Sequence, residues 1–244
     1  SGTLTDGSLT VDAEKNAKVF IRLNGVSITC SNDAAIRINQ ADKVFLTLAA
    51  GTENTVTSGE TYSAAALADK TDGAIFSHDD LTINGSGALT VTAAYKHGIA
   101  ANDSLRIAGG TITVTAPSDT IHVNDSLHIT GASLTLSAGD DALRSDTSIA
   151  ILGGGITVNS CSEGIESPEI LIEDGDITVT STDHGINACG TETADGSLPG
   201  VTINGGTVIA EAANDAITTG DGGTITINGG DVTARGGVNN FGDN

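Results

Sequence analysis

An aliphatic residue opens a short apolar run eight times along the chain, at Ile36, Ile75, Ile99, Ile121, Leu143, Ile165, Ile186 and Ile217. Successive members of this set lie 39, 24, 22, 22, 22, 21 and 31 residues apart. Between them hydrophobic and polar positions alternate with period two, the signature of strands, and no helical stripe interrupts the alternation. The stretch 98–115 shows one unit most clearly. It predicts short strands around Ile99, Leu105/Ile107 and Ile112/Val114, with turns at Asn102-Asp103 and Gly109-Gly110, where a positive φ costs little.

The apolar positions recur in columns. Leu105, Leu127, Ile149, Ile170, Val201 and Ile225 form one, and Ile107, Ile129, Ile151, Ile172, Ile203 and Ile227 a second. Ile112, Leu134, Ile156, Ile177, Val208 and Val232 form a third. Three strands in ~22 residues close one turn of a solenoid whose coils stack ~4.8 Å apart. The expected fold is therefore all-β, a single-stranded right-handed parallel β-helix, the hand following the general preference of parallel crossovers. An antiparallel sandwich would not demand equal spacing in successive turns. One domain over 1–244 is expected, with coils beginning near Val19 and loop insertions near 57–71 and 189–199, the second ending at the Pro199-Gly200 turn signal.

Composition narrows the partners. The chain carries 31 acidic residues against 10 Lys and Arg, a net charge of −21, and only 2% aromatic residues. Nucleic acid requires a basic stripe and is excluded as a partner. An acidic polymer would be repelled unless cations stand between the two surfaces. No 18-residue apolar run is present, so no membrane insertion by this chain is expected. Three cysteines allow at most one internal disulfide, or three buried thiols.

The acids are not scattered. From Ile99 onward, two residues before each aliphatic position stand His97, Asp119, Asp141, Glu163, His184 and Asp215, and three before it Lys96, Ser118, Asp140, Ser162, Asp183 and Asn214. In a β-helix these residues stack on one edge, which sets Asp119, Asp141 and Glu163 roughly 5 Å apart with Asp140 and Asp183 beside them. Like charges so close repel. An all-oxygen donor set between rungs suits Ca²⁺, which accepts six to eight oxygens at ~2.3–2.6 Å. Arg144, Glu166 and Asn187 follow one residue after the aliphatic position, so Glu166 either adds a ligand or pairs with Arg144. His97 and His184 bracket the ladder and read as exposed rungs rather than metal ligands. A second row (Thr90, Thr113, Thr135, Thr157, Thr178 and Thr233) reads as the solvent face of a strand, and a flat threonine array also suits a crystalline surface such as cellulose.

The stretches 70–77 (KTDGAIFS) and 80–87 (DLTINGSG), with Lys96-His97-Gly98-Ile99, Asp140-Asp141-Ala142-Leu143 and Glu163-Gly164-Ile165-Glu166, resemble a bacterial extracellular carbohydrate-binding β-helix family similar in fold to the ninth polysaccharide lyase family. The resemblance runs from about 19 to 235. It implies bound calcium, binding of cellulose and acidic sugars, and a secreted or cell-surface location. The paired aspartates of the lyase calcium motif fall on Asp140 and Asp141, but the acid expected three residues on is Arg144. The lyases' catalytic lysine follows that motif, whereas every lysine here precedes it.

The expectation is a calcium-binding, non-catalytic protein that acts as a monomer. Its metal ligands are drawn from Asp119, Asp140, Asp141, Glu163, Glu166 and Asp183, and its sugar contacts from Tyr95, Lys96, His97, Arg144 and His184. The polymer is acidic polysaccharide such as polygalacturonate or pectin, with cellulose as a second. A Ca²⁺-dependent pectate lyase is the alternative, and a structural adhesin with calcium only neutralising the ladder is a third reading.

Overall fold

The computed structural model describes residues 1–190, 196, 198–220 and 222–237; most of the 189–199 insertion lies outside them. The chain is a parallel β-solenoid, with three sheets of ten, nine and nine strands among the described residues. Each coil contributes one strand to each sheet in turn. In the fourth coil these are His97–Ala101, Leu105–Ile107 and Thr111–Ala116, and every one pairs in parallel with the strand a coil away. The one helix among the described residues is a single turn, Ala64–Ala68.

The recurring aliphatic residues lie in register in one sheet, hereafter the plug sheet. Ile36, Ile75, Ile99, Ile121, Leu143, Ile165, Ile186 and Ile217 are consecutive Cα partners. The solenoid begins earlier than Val19, because Leu9 pairs with Ile36 and the strand Gly2–Leu4 pairs with Val26–Cys30. Ahead of Val19 the large aliphatic residues are only Leu4, Leu9 and Val11, so the periodicity there is faint. The other columns hold as read, for example Leu105–Leu127–Ile149–Ile170–Val201. Up to Val201, Ile203 and Val208 their side chains are buried and form one continuous core, while Ile225 and Ile227 of the last coil are exposed. Each fully buried Ile or Leu contributes about 1.5–3 kcal/mol by leaving water.

The residues between the acid and the plug, Thr120, Ala142 and Gly164, are buried, and at Gly164 there is no room for a side chain. A Cβ on Gly164 would stand 2.2 Å from the Gly185 carbonyl oxygen and 2.3 Å from Val179 Cγ1. Gly164→Ala is therefore expected to lower unfolding free energy by about 1–3 kcal/mol in a denaturant titration, through overpacking at the rung that carries Glu163 and Glu166. A second departure from the aliphatic pattern lies at Asn54, which takes the place of a leucine in its column opposite Leu89. Its buried amide accepts the backbone N–H groups of Gly25 and Val26 and donates to the Ala88 carbonyl, satisfying donors that an aliphatic residue would leave unpaired.

The 57–71 insertion departs after the strand Glu53–Ser58 and returns across the outer face of the plug sheet. Tyr62 donates its hydroxyl to the Gly73 carbonyl, and Asp69 accepts from Arg37 at 2.5 Å and contacts His78 at 2.8 Å. Phe76 is fully buried there with Ala34 and Ala100. The outer face of later coils is left to the charged residues described next.

On the ten-stranded sheet the outward row runs Ser27, Thr55, Thr90, Thr113, Thr135, Thr157 and Thr178. Ile209 separates Thr178 from Thr233, so the continuous row ends two coils earlier than the spacing suggests. On the third sheet Phe20 and Phe45 stack at 4.8 Å, with Phe20 exposed. This is a two-ring step, since their next neighbour in the row is Thr82.

Candidate functional site

Two positions in each coil, two before the plug and one after it, face the same strip of surface. Each coil therefore presents an i,i+3 pair, and the stacking aligns these pairs: His97 with Ala100, Asp119 with His122, Asp141 with Arg144, Glu163 with Glu166, and His184 with Asn187. Asp141 is the direct strand partner of Glu163, and its backbone N–H donates to Asp119 Oδ1 at 3.1 Å. The acids expected to stack do stack.

At the centre Arg144 donates to Asp141 Oδ2 at 3.0 Å and to Glu166 on the next rung. Asn187 donates to Glu163 at 2.9 Å and Glu166 at 3.3 Å. One oxygen from each of Asp141, Glu163 and Glu166 lies within 4.8 Å of the others. Asp141 and Glu166 thus share the Arg144 guanidinium, while Glu163 is held by Asn187. Burial, followed by the neighbouring acids, pushes Asp141 up to about 7 despite Arg144. Burial and the hydrogen bond shared with Glu166 push Glu163 up to about 8. Burial opposes ionisation of Glu166 as well, but Glu163 donating to it and Arg144 beside it hold it below the usual range. In this cluster protons occupy places that cations could take.

The flanks differ. Asp119 is buried, and its Oδ2 lies 2.7 Å from His122 Nδ1 and 3.2 Å from His97 Nδ1. Burial works against its charge, yet these two imidazoles hold it far below the ordinary aspartate range. Burial likewise opposes protonation of His122, and Asp119 outweighs it, so the imidazole is raised. Asp140 is exposed beside Asp141, and Asp183 accepts from Asn214. His184 bridges Asp183 and Asp215 at 3.6 and 3.5 Å. Lys96 adopts a left-handed backbone with φ 45° and reaches Asp72 at 3.4 Å, while Tyr95 packs on Tyr62 of the insertion at 4.7 Å.

Most residues singled out from the sequence therefore lie along one strip, with Tyr95 and Lys96 at its lower end and His184 at its upper. His97 departs from its reading as an exposed rung. It is buried because its ring stacks on His122 at 4.4 Å with Asp72 on its other side. His122 belongs to the site and was not selected. Its signal was available, since it is the histidine three residues after Asp119 in the column that holds Arg144 and Glu166. The cysteines are free thiols, and burial pushes Cys161 and Cys189 up to about 12, which keeps them protonated beside the acids.

A family model described as "Carbohydrate-binding domain-containing protein" matches residues 1–240. The chain belongs to this carbohydrate-binding family. One relative with that description, from Acetivibrio thermocellus, is 43% identical over 117 residues, covering 48% of this chain and 41% of the relative. The chain thus aligns with about two fifths of that protein's length. A solved structure of a polysaccharide lyase-like protein from C. thermocellum, a gadolinium derivative, matches with a TM-score of 0.69 at 28% identity. The match covers 98% of this chain and 85% of that one. The chain's parallel β-solenoid thus shares its fold with that polysaccharide lyase-like protein.

Proposed function

We propose that this carbohydrate-binding solenoid recognises acidic polysaccharide through calcium held on the strip. The observation that carries the reading is the cluster of Asp141, Glu163 and Glu166, whose oxygens lie within 4.8 Å of one another against one arginine. Two oxygens bound to one Ca²⁺ at ~2.4 Å stand at most ~4.8 Å apart, so the spacing suits that ion. Asp140 and Asp183 flank the cluster and extend its oxygen donors. Asp119, whose Oδ2 lies against His122 and faces His97, groups with Asp140 and Asp141 on the neighbouring rung, their oxygens again within 4.8 Å of one another. Calcium with unfilled coordination positions binds a uronate carboxylate and reverses the repulsion expected of a chain with net charge −21.

Binding without cleavage is the favoured reading. Arg144, the cation in contact with the cluster, is driven further toward its protonated form by Asp141 and Glu166 despite burial, so it makes a poor base. Lys96 lies two coils away and is engaged with Asp72. The threonine row offers a separate, uncharged face for cellulose. A secreted or cell-surface monomer is the form in which these surfaces meet such polymers.

The test is binding of polygalacturonate by the wild type and Glu163→Gln, in Ca²⁺ and in chelator. Wild type in Ca²⁺ should bind at least about tenfold tighter than either the chelated protein or the variant, in line with the 10–100-fold losses that disturbed metal sites show. Equal affinity in chelator contradicts calcium bridging. Sustained release of unsaturated uronate contradicts a pure binder and favours the lyase.

A further inference from the structure

Next to the carboxylate cluster, two imidazoles from successive coils converge on one aspartate oxygen. We propose that His97, Asp119 and His122 form a binding site for a divalent late transition-metal ion, zinc in the first instance, distinct from any calcium on the neighbouring rungs. His97 projects from the strand His97–Ala101 and His122 from Ile121–Val123 one coil above, and their rings stack at 4.4 Å with planes 27° apart. The stacking turns both Nδ1 atoms to the same side. One nitrogen atom from each ring and one oxygen of Asp119 lie within 4.8 Å of one another.

The second observation is an unsatisfied nitrogen. The His97 side chain is 10% exposed, and its Nδ1 stands 3.2 Å from Asp119 Oδ2 without the alignment of a hydrogen bond, leaving it with no partner. Buried polar atoms of this kind are rare and are normally satisfied. A nitrogen lone pair directed at a carboxylate oxygen is repulsive unless a proton or a cation lies between them. Four-coordinate zinc with bonds of ~2.0–2.1 Å places neighbouring ligand atoms ~3.3 Å apart, close to the His97–Asp119 separation. His122 Nδ1, at 2.7 Å, sits at hydrogen-bond distance and must withdraw by roughly 0.6 Å to admit such an ion. Its side chain is 22% exposed and has room to move.

The surroundings match those of a ligand set. Asp119 Oδ1 accepts the backbone N–H of Asp141, which fixes the orientation of the carboxylate. His97 Nε2 faces Asp72 Oδ2 at 3.8 Å, an acid within reach of the ring's other nitrogen after a small movement. Two imidazoles and one carboxylate favour zinc and its late first-row neighbours over calcium, which takes oxygen donors alone. Three protein ligands leave a coordination position for water or for an oxygen of the bound glycan.

The site is tested by titrating Zn²⁺ into the full chain in Ca²⁺-saturated buffer, followed by calorimetry and thermal unfolding, with Co²⁺ as a spectroscopic probe. The expected result is one tight site, absent in His122→Ala and kept in His184→Ala. At about one hundred times Kd, Zn²⁺ should raise Tm by roughly 5 °C or more. Co²⁺ should give ligand-field absorption with no thiolate charge-transfer band. His97→Gln serves as the second variant; its fold is checked by circular dichroism, and His122→Ala carries the result if it is unstable. Undiminished Zn²⁺ binding in His122→Ala, loss in His184→Ala instead, displacement by excess Ca²⁺, or a thiolate band would each overturn the proposal.

Discussion

In metal-free buffer the protein should lose stability as pH rises from about 5 to 8. Asp141, raised to about 7, and Glu163, raised to about 8, hold protons in the folded state that they have released in the unfolded chain. Where the native state binds more protons than the unfolded one, unfolding free energy falls with rising pH. The stability linked to these groups is complete below their ordinary carboxylate values and is lost as pH passes through 7 and 8. Asp141, whose side chain is 4% exposed, accounts for about 3 kcal/mol between pH 5 and 8. Glu163 acts in the same direction but is half-buried, so screening reduces its share. His122 reinforces the trend, since its raised imidazole also stabilises below its ordinary value and loses that effect above it. Asp119 and Glu166 are lowered, and their contributions vanish only as pH falls through the acid range, outside this window. For a chain of this size the fall corresponds to roughly 5–10 °C in Tm. Saturating Ca²⁺ should flatten it, because the ion replaces the protons. Thermal unfolding at several pH values in chelator and in Ca²⁺ gives both curves, and a flat profile in chelator contradicts the charge distribution described for these rungs.

The second large effect concerns the column behind the strip. Leu143 is fully buried between Ile121 below and Ile165 above, and Asp141 and Arg144 stand on either side of it in sequence. Leu143→Ala removes the apolar contact and leaves a space that parallel strands on both sides prevent from closing. The expected loss is about 2–5 kcal/mol, or roughly 5–20 °C in Tm. Because coils in a solenoid are coupled to their nearest neighbours, the damage falls on the coils that carry the cluster. Calcium affinity should weaken along with stability. Thr135→Ala, outward on the ten-stranded sheet, should change stability by no more than about 0.5 kcal/mol. Chemical denaturation of the two variants side by side checks the contrast, and equal small losses would contradict a close-packed plug column.

The architecture was legible because a solenoid converts sequence spacing directly into spatial register. Once Ile99, Ile121, Leu143 and Ile165 recur every 22 residues, their neighbours must stack, so the alignment of Asp119, Asp141 and Glu163 follows without knowledge of side-chain contacts. Features that break the repeat were less legible. Leu9 stands in the sparse stretch before Val19, and Ile209 interrupts a threonine row that equal spacing would continue. The extra length at 57–71 showed that a loop was present, but not that Tyr62 and Asp69 would anchor it across the plug sheet. Within the strip, the column places His97 and His122 one above the other, whereas the burial of His97 depends on ring stacking and on Asp72, a residue from the preceding coil. Spacing identifies which residues are neighbours. It leaves open whether Arg144 neutralises the acids or contacts a ligand, and the structure pairs it with Asp141 and Glu166.

Calcium binding by the central rungs is tested most directly by calorimetric titration of Ca²⁺ into the wild type, Asp141→Asn and Glu163→Gln at a fixed pH near 8. The wild type should bind Ca²⁺ saturably with release of protons, and each variant should lose at least about tenfold in affinity at that site. Identical isotherms in all three proteins would mean that the stacked carboxylates hold no calcium.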